Sequence, residues 1–304
     1  MKKGKALRAL LERPGIVVAP GVYDALSARI CEMVGFEAVS HSGFGTAAAT
    51  LGRPDIGLLD MTEMARQVAA VANAVAIPVL GDADTGFGNA VNAFRTVQEY
   101  VRAGAAGLFI EDQVSPKRCG HMRGKQVVSR AEMLGKLRAA MDARDALDPD
   151  FVIMCRTDAI AVHGFEEALD RAKAAVDLGV DMVFVEALET REQMARVGRE
   201  VKAPLMLNLI EGGRTPLVTY AEAEQLGFKY VVPALTALSA AARGMLDVLQ
   251  QVRKEGVSDA YLDRLVTFRD FPCIVHLERF RAMEDRYLPD EVLEERYRGE
   301  RRIV

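Results

Sequence analysis

The chain has 304 residues, 50% of them hydrophobic and 27% charged, with a formal net charge of −4. That length and balance suit one large folded unit with an ample core, and the negative balance leaves no basic field for nucleic acid or an anionic membrane surface. No run approaches the roughly 18 uninterrupted apolar residues of a membrane span, and Arg8, Glu12 and Arg13 break the apolar stretch that a signal peptide would need after the basic start, so the cytoplasm is the expected compartment.

Along the chain, short β-branched apolar runs alternate with longer stretches of helical periodicity. Strands are predicted at Ile16–Ala19, Ala38–His41, Pro78–Asp82, Gly107–Glu111, Phe151–Arg156, Met182–Glu186, Pro204–Asn208 and Tyr230–Pro233. Between them lie helical patterns at Thr62–Ala74, Ala90–Ala103, Arg130–Arg144, Gly164–Leu178, Arg191–Val201 and Tyr220–Gly227. Near-continuous apolar strands imply a parallel sheet buried on both faces, and eight strand–helix units close into an α/β barrel of the (β/α)8 type. An open doubly wound sheet shares the alternation, but no G-x-G-x-x-G turn follows the first run. With no linker in sight, residues 1–304 read as a single barrel domain. Its segment 258–304 forms a charged helical extension, of the kind that packs on the barrel or on a neighbouring subunit.

In such a barrel the active site forms at the C-terminal ends of the strands. Polar groups recur there: Ser42, Asp82 with Asp84, Glu111 with Asp112, Arg156 with Asp158, Glu186, and Asn208 followed by Glu211. Any one of them could cap the following helix; capping does not explain the whole set. Asp82, Asp84 and Glu111 form an oxygen-rich cluster suited to a hard cation such as Mg2+, and the absence of a nearby His argues against Zn2+. The alternative for Asp82–Gly88 is a Gly-rich loop with a capping Asp.

The run Lys117-Arg118-Cys119-Gly120-His121 places a cysteine among cations on what reads as an exposed loop. Such surroundings favour a thiolate or a proton-transferring thiol. Cys31 on an amphipathic helix, Cys155 inside a strand and Cys273 in an apolar tail helix read as small core residues, with no disulfide framework. His163 and His276 read as ordinary residues, and His41 is ambiguous.

These motifs resemble the isocitrate lyase/phosphoenolpyruvate mutase superfamily over nearly the whole chain. The resemblance is carried by Ser42-Gly43, Gly52-Arg53-Pro54-Asp55, Asp82–Gly88, Glu111-Asp112-Gln113, Lys117–His121, Arg156–Ala159, and Asn208 with Glu211 and Thr215-Pro216. The cysteine-containing run is similar to the lyase branch, although some carboxyphosphonate-type mutases share it. The resemblance implies Mg2+, replaceable by Mn2+, held directly by Asp82 and through waters by Asp55, Asp84 and Glu111. It puts Lys117 and Cys119 on a mobile gating loop, with Cys119 as general acid. Arg156 would grip a substrate carboxylate, while the backbone N–H groups of Ser42, Gly43, Gly120 and His121 and the Asn208 amide would hold carboxylate oxygens. The implied reaction cleaves the C2–C3 bond of a small anionic 2-hydroxy or 2-oxo acid, in a homotetramer that exchanges its C-terminal helix.

Two departures narrow the reading. Relatives that act on 2-methylisocitrate carry a Tyr two residues before the Ser-Gly pair, a candidate base, where this chain has Ser40; Glu186 or a metal-bound water could serve instead. They also carry an Arg after the eighth strand that holds a third carboxylate, whereas Pro233–Leu238 has no cation. The Glu211–Pro216 run is closer to 2,3-dimethylmalate lyases and oxaloacetate hydrolases, and the hydrolases place a Ser where Pro233 stands. A substituted malate is therefore the expected substrate, to be split into an α-keto acid such as pyruvate and a carboxylic acid. The alternatives are 2-methylisocitrate cleavage, oxaloacetate hydrolysis or decarboxylation, and a carboxyphosphonoenolpyruvate mutase-like reaction.

Overall fold

The computed structural model describes residues 2–297, and its contacts group the chain into two compact units, one running to Leu238 and the other from Ser239 onward. The first unit begins with α1 (Lys3–Glu12), β1 (Val17–Val18), β2 (Gly21–Val22), α2 (Ala25–Val34), β3 (Val39–His41) and the short α3 (Gly43–Thr46), which runs on into a π-helical turn at Ala47–Leu51. It continues with α4 (Met61–Ala74), β4 (Val79–Asp82), α5 (Ala90–Ala103), β5 (Gly107–Glu111), α6 (Arg130–Leu147) and β6 (Val152–Thr157). Then come α7 (Ile160–His163), α8 (Phe165–Leu178), β7 (Met182–Val185), α9 (Arg191–Glu200), β8 (Leu205–Leu209), α10 (Tyr220–Gln225) and β9 (Tyr230–Pro233), before α11 (Thr236–Glu255).

Every strand pairing is parallel, in the order β1-β9-β8-β7-β6-β5-β4-β3-β2. The two ends of that order are one strand interrupted at Pro20, which has no N–H for a ladder. Val17 sits opposite Tyr230 and Gly21 opposite Ser40, so the interrupted strand closes the sheet on itself and leaves no open edge. Gly21 is required at this seam, because a Cβ there would lie 2.0 Å from the Ala234 carbonyl oxygen. The predicted barrel is thus present, with the first strand extended past Ala19 by a second piece.

Two apolar layers hold it together. Inside the barrel, Ala19, Leu80, Phe109, Met154, Met182, Phe184, Met206, Tyr230 and Val232 pack with Leu7, which α1 delivers to the N-terminal strand ends. Outside, Met64, Val68, Val97, Tyr100, Leu137 and Leu169 from the helices cover Ile153, Val183, Leu207 and Val231. Each such fully buried side chain is worth about 1.5–3 kcal/mol. Helix starts are set by caps: Asp24, Asp60, Asn89, Ser129, Thr190 and Thr219 accept backbone N–H groups in the first turns of α2, α4, α5, α6, α9 and α10. Helices α1 and α11 were not expected from the periodicity.

The second unit holds the remainder of α11, a 3-10 turn at Asp259–Arg264, α12 (Phe271–Ile274), α13 (Leu277–Tyr287) and α14 (Asp290–Tyr297). Cys273, expected in a core, is exposed there, since α12 is only four residues long and presents Ile274 as its buried residue. Cys31 and Cys155 are buried as expected. No described helix is long and apolar enough to cross a membrane.

Candidate active site

The strand ends of β3 to β8 gather the predicted residues at one mouth of the barrel. Asp82, the last residue of β4, accepts the Gly43 N–H at 2.9 Å on Oδ2 and the Asp84 N–H at 3.0 Å on Oδ1. Its backbone is pinned from outside: the hydroxyl of the fully buried Tyr100 on α5 donates to the Asp82 carbonyl at 2.6 Å. Gly81 makes room for that ring, which a Cβ would meet at 2.8 Å. Asp84 sits in the left-handed region (φ 44), which a short Asx side chain tolerates better than most.

Asp55, Asp82, Asp84 and Glu111 are all buried, and a single ammonium lies among them. Lys117 Nζ is 2.7 Å from Asp55 Oδ1 and 2.8 Å from Asp84 Oδ1. Burial works against that ammonium, but Asp84, Glu111, Asp82 and Asp55 outweigh it and keep Lys117 charged far above neutrality. The acids are under-compensated in return. Burial, reinforced by Asp82 and Asp55 and opposed by Lys117, pushes Asp84 up to about 6. Burial also drives Glu111 well above the usual carboxylate range against Arg156 and Lys117. Neither Glu111 oxygen has a hydrogen-bond partner; Arg156 Nε is 3.2 Å from one of them but out of line. Among the described residues no three or more His, Cys, Asp or Glu side chains form a group that could hold a metal ion by themselves.

The Lys117–His121 loop is not the exposed loop the sequence suggested. It folds down into the barrel mouth, with Lys117 buried and Cys119 and His121 half-buried. The Cys119 N–H donates to the Asp55 carbonyl at 3.1 Å. Gly120 lies flat against the site: a Cβ there would be 2.5 Å from Glu186 Cγ and 2.6 Å from Arg156 Nη2. Of the two states open to the cysteine, the structure favours the thiol. Burial raises it, the His121 N–H opposes this, and Asp55 and Glu186 add to the rise. His121 Nδ1 accepts the Arg214 N–H at 3.0 Å, which leaves the ring hydrogen of the neutral form on Nε2, 3.2 Å from Glu186 Oε1.

Arg156, at the C-terminal end of β6, is held by Asp158 through Nε at 2.9 Å and Nη2 at 3.2 Å, with Glu186 Oε2 3.3 Å from Nη2. Its guanidinium carbon lies 5.9 Å and 5.3 Å from the centroids of Phe109 and Phe184, two rings packed edge to face. Burial alone would raise Glu186, but Arg156 and then His121 hold it down at about 2. The Asn208 amide reaches Glu186 Oε2 at 3.5 Å, and its own Oδ1 has no partner.

Several expected contacts are engaged elsewhere. Ser42 caps α3 by accepting the Gly45 N–H at 3.1 Å, and its own N–H donates to the Val22 carbonyl at 2.8 Å. With the Gly43 N–H on Asp82, what Ser42 retains is its hydroxyl hydrogen. Glu211 is exposed, accepts the Thr236 hydroxyl at 2.6 Å and lies outside the cavity wall. The Arg214 guanidinium turns to Glu189 at 3.4 Å, also away from the cavity. His41, ambiguous in sequence, is buried beside Thr46 Oγ1 at 2.9 Å, and burial lowers it to about 4 despite Asp82, so it is neutral. Ser40 lines the cavity and its Oγ is 3.2 Å from the Tyr230 hydroxyl.

The resulting cavity has a chemically mixed lining: Asp55, Asp82, Cys119, His121, Arg156, Glu186 and Asn208 line it together with Phe44, Phe109, Phe184, Met206, Ile210, Val232, Ala234 and Leu235. The Ala234–Leu235 part of this apolar lining lies in the cation-free Pro233–Leu238 segment that the sequence points to as suited to alkyl groups; Phe44, Ile210 and Val232 were missed, because hydrophobic residues near strand ends are indistinguishable from core.

The family profile described as phosphoenolpyruvate phosphomutase matches residues 7–253. A 2,3-dimethylmalate lyase of Eubacterium barkeri is 43% identical over 287 residues, covering 94% of this chain and 99% of its own. A chloroplastic carboxyvinyl-carboxyphosphonate phosphorylmutase of Arabidopsis thaliana is 44% identical over 282 residues, covering 91% of this chain and 83% of its own. The structure of oxaloacetate acetylhydrolase in complex with the inhibitor 3,3-difluorooxalacetate aligns with a TM-score of 0.89 at 37% identity, covering 93% of this chain and 96% of that one. The chain belongs to the phosphoenolpyruvate mutase/isocitrate lyase superfamily and is an enzyme of the carbon–carbon lyase type.

Proposed function

We propose that the protein is a Mg2+-dependent lyase that cleaves the C2–C3 bond of an alkyl-substituted malate, of the 2,3-dimethylmalate kind, to an α-keto acid such as pyruvate and a carboxylic acid. The observation that carries this reading is the cavity's mixed lining, in which Arg156 is, among the described residues, the one guanidinium and Phe44, Ile210, Val232, Ala234 and Leu235 are apolar. A carboxylate and a pair of alkyl groups suit such a lining.

The donor set fits a divalent cation. Four buried carboxyl groups share one ammonium, and both Glu111 oxygens lack a partner. A hard cation that keeps several waters and takes few protein oxygens directly suits such a set better than an all-protein cage. Asp82 would hold it, with Asp55, Asp84 and Glu111 through water. When bound, Mg2+ supplies charge stabilisation for the oxygens of the substrate.

The chain's own residues account for the remaining steps. Arg156 takes a substrate carboxylate with its planar fork, and the Ser42 hydroxyl and Asn208 amide orient the oxygens. An anionic substrate beside Arg156 relieves the pull that holds Glu186 at about 2, so Glu186 becomes the carboxylate able to accept the hydroxyl proton. As the C2–C3 bond breaks, C2 becomes the keto carbon and the electron pair stays on C3. Cys119, kept as a thiol by burial, donates its proton to that carbon. The Phe109–Phe184 pair shields the guanidinium from water. We also propose a cytoplasmic homotetramer with exchanged C-terminal helices; exposed Leu249, Phe268, Phe280 and Tyr287 support self-association.

The deciding experiment is a 2-keto-acid release assay with Mg2+ on 2,3-dimethylmalate, 2-methylisocitrate and oxaloacetate, with pyruvate read through lactate dehydrogenase. Turnover of the substituted malate is expected. Oxalate release from oxaloacetate as the dominant activity would overturn the reading; the likeness to oxaloacetate acetylhydrolase favours that outcome, whereas β9 brings no hydroxyl to the cavity wall.

A further inference from the structure

The segment that follows the catalytic loop contains a buried cation that the chemistry above does not use. Lys125 has a side chain only 2% exposed, and its ammonium is shared between the Gly120 carbonyl and Asp158 Oδ1. That same Asp158 oxygen accepts Arg156 Nη2 at 3.2 Å, so a single carboxylate atom joins the loop to the substrate-binding guanidinium. Lys125 stands on a fixed base. The Val128 N–H donates to the Asp112 carbonyl at 2.8 Å, and Arg171 of α8 donates to both the Val128 carbonyl at 2.8 Å and Asp112 Oδ2 at 3.0 Å. Asp112 also receives the Thr157 hydroxyl at 2.7 Å and the Asp158 N–H at 2.8 Å, which ties the base to the end of β6.

A second grip comes from Gln113, just past β5. Its amide NH2 donates to the Arg118 carbonyl at 2.8 Å while its amide oxygen accepts the Arg118 N–H at 3.0 Å. A side-chain amide that pairs both backbone groups of one residue fixes that peptide's position and direction. Loop side chains could reach the site from many backbone paths; these two clamps select the path on which Gly120 touches Arg156 and Glu186.

We propose that Lys125 and Gln113 are positioning residues that latch the Lys117–His121 loop in its closed register, and that Lys125, through Asp158, makes closure sensitive to the state of Arg156. The role in turnover rests on the lyase reading above; the latch itself does not. Neither residue touches the reacting atoms.

The test uses the full-length protein without substrate. Iodoacetamide labelling is followed at each cysteine by mass spectrometry, for wild type, Lys125→Met and Gln113→Ala. Each variant should label Cys119 about tenfold faster or more, equivalent to about 1.4 kcal/mol in the opening equilibrium, with Cys31 and Cys155 unchanged. Loss of the Lys125 charge by itself would slow labelling by disfavouring the thiolate, so acceleration separates a latch from an electrostatic role. With an active substrate, kcat should fall at least tenfold while KM moves little. Unchanged Cys119 labelling in a folded Lys125→Met protein, or Cys31 and Cys155 accelerating in step with Cys119, would overturn the proposal. If Lys125→Met does not fold, Gln113→Ala decides by the same criteria. Failure to find any substrate would count against the lyase reading and leave the labelling result standing.

Discussion

The sharpest consequence of the cavity concerns a third carboxylate. A tricarboxylic substrate such as 2-methylisocitrate would carry one more negative charge into the cavity than a substituted malate. Arg156, held by Asp158 and Glu186, is taken up by the carboxylate that both substrates share, Lys117 is enclosed by Asp55 and Asp84, and Arg214 points to Glu189 outside the cavity. Among the described residues no further cation lines the cavity, whose remaining lining includes Ile210, Val232, Ala234 and Leu235. An unpaired charge in such surroundings costs several kcal/mol, and each 1.4 kcal/mol is tenfold. The expected preference in kcat/KM for 2,3-dimethylmalate over 2-methylisocitrate is therefore at least about a hundredfold. Leu235→Arg, placing a guanidinium in that lining, should recover about tenfold or more of the lost 2-methylisocitrate activity while weakening turnover of the dimethyl substrate. Parallel steady-state kinetics on both enzymes and both substrates measure this. A wild-type kcat/KM for 2-methylisocitrate equal to or above that for 2,3-dimethylmalate would refute the reasoning, and would mean that Arg214 swings inward to supply the missing cation.

Other outcomes are expected from the same geometry. Exhaustive chelation should abolish turnover and Mg2+ or Mn2+ should restore it, and Asp82→Ala should leave no activity under either condition. Cys119→Ser should lose about 10²- to 10⁴-fold in kcat with an unchanged melting temperature, while Cys31→Ser and Cys273→Ser stay close to wild type; near-normal turnover of Cys119→Ser would remove the general acid from the scheme. Because burial raises the Cys119 thiol, the thiolate forms only as pH climbs, so its alkylation rate should still be rising at pH 9; a plateau near neutrality would show a depressed thiol instead. Tyr100→Phe removes the hydrogen bond to the Asp82 carbonyl and should cost about 1 kcal/mol in denaturant unfolding, together with a weaker apparent affinity for the metal.

The barrel was legible in the sequence because its determinants are local. Runs such as Gly107–Glu111 and Met182–Val185 are apolar on both faces, and the intervening helices carry their own caps at Asp60, Asn89 and Ser129. The candidate site was legible in outline for the same reason: Asp82, Glu111 and Arg156 interrupt apolar strands at one end, and topology brings those ends together. Tertiary structure decided what depends on distant chain segments meeting. The inward path of the Cys119 loop depends on distant partners such as the Asp55 carbonyl, and the burial that results, which no local pattern reports, raises its thiol. The seam at Pro20 depends on β9 arriving more than two hundred residues later, opposite Val17. The engagement of Ser42 and Gly43, the turning away of Glu211 and Arg214, and the arrival of Phe44 and Ile210 in the same cavity lining as the apolar Ala234–Leu235 segment, which the sequence already marks, follow from side-chain packing across strands. Lys125 shows the limit most clearly: in sequence it is one more cation in a polar run, and only the folded chain buries its ammonium between the Gly120 carbonyl and Asp158, where low dielectric strengthens such contacts.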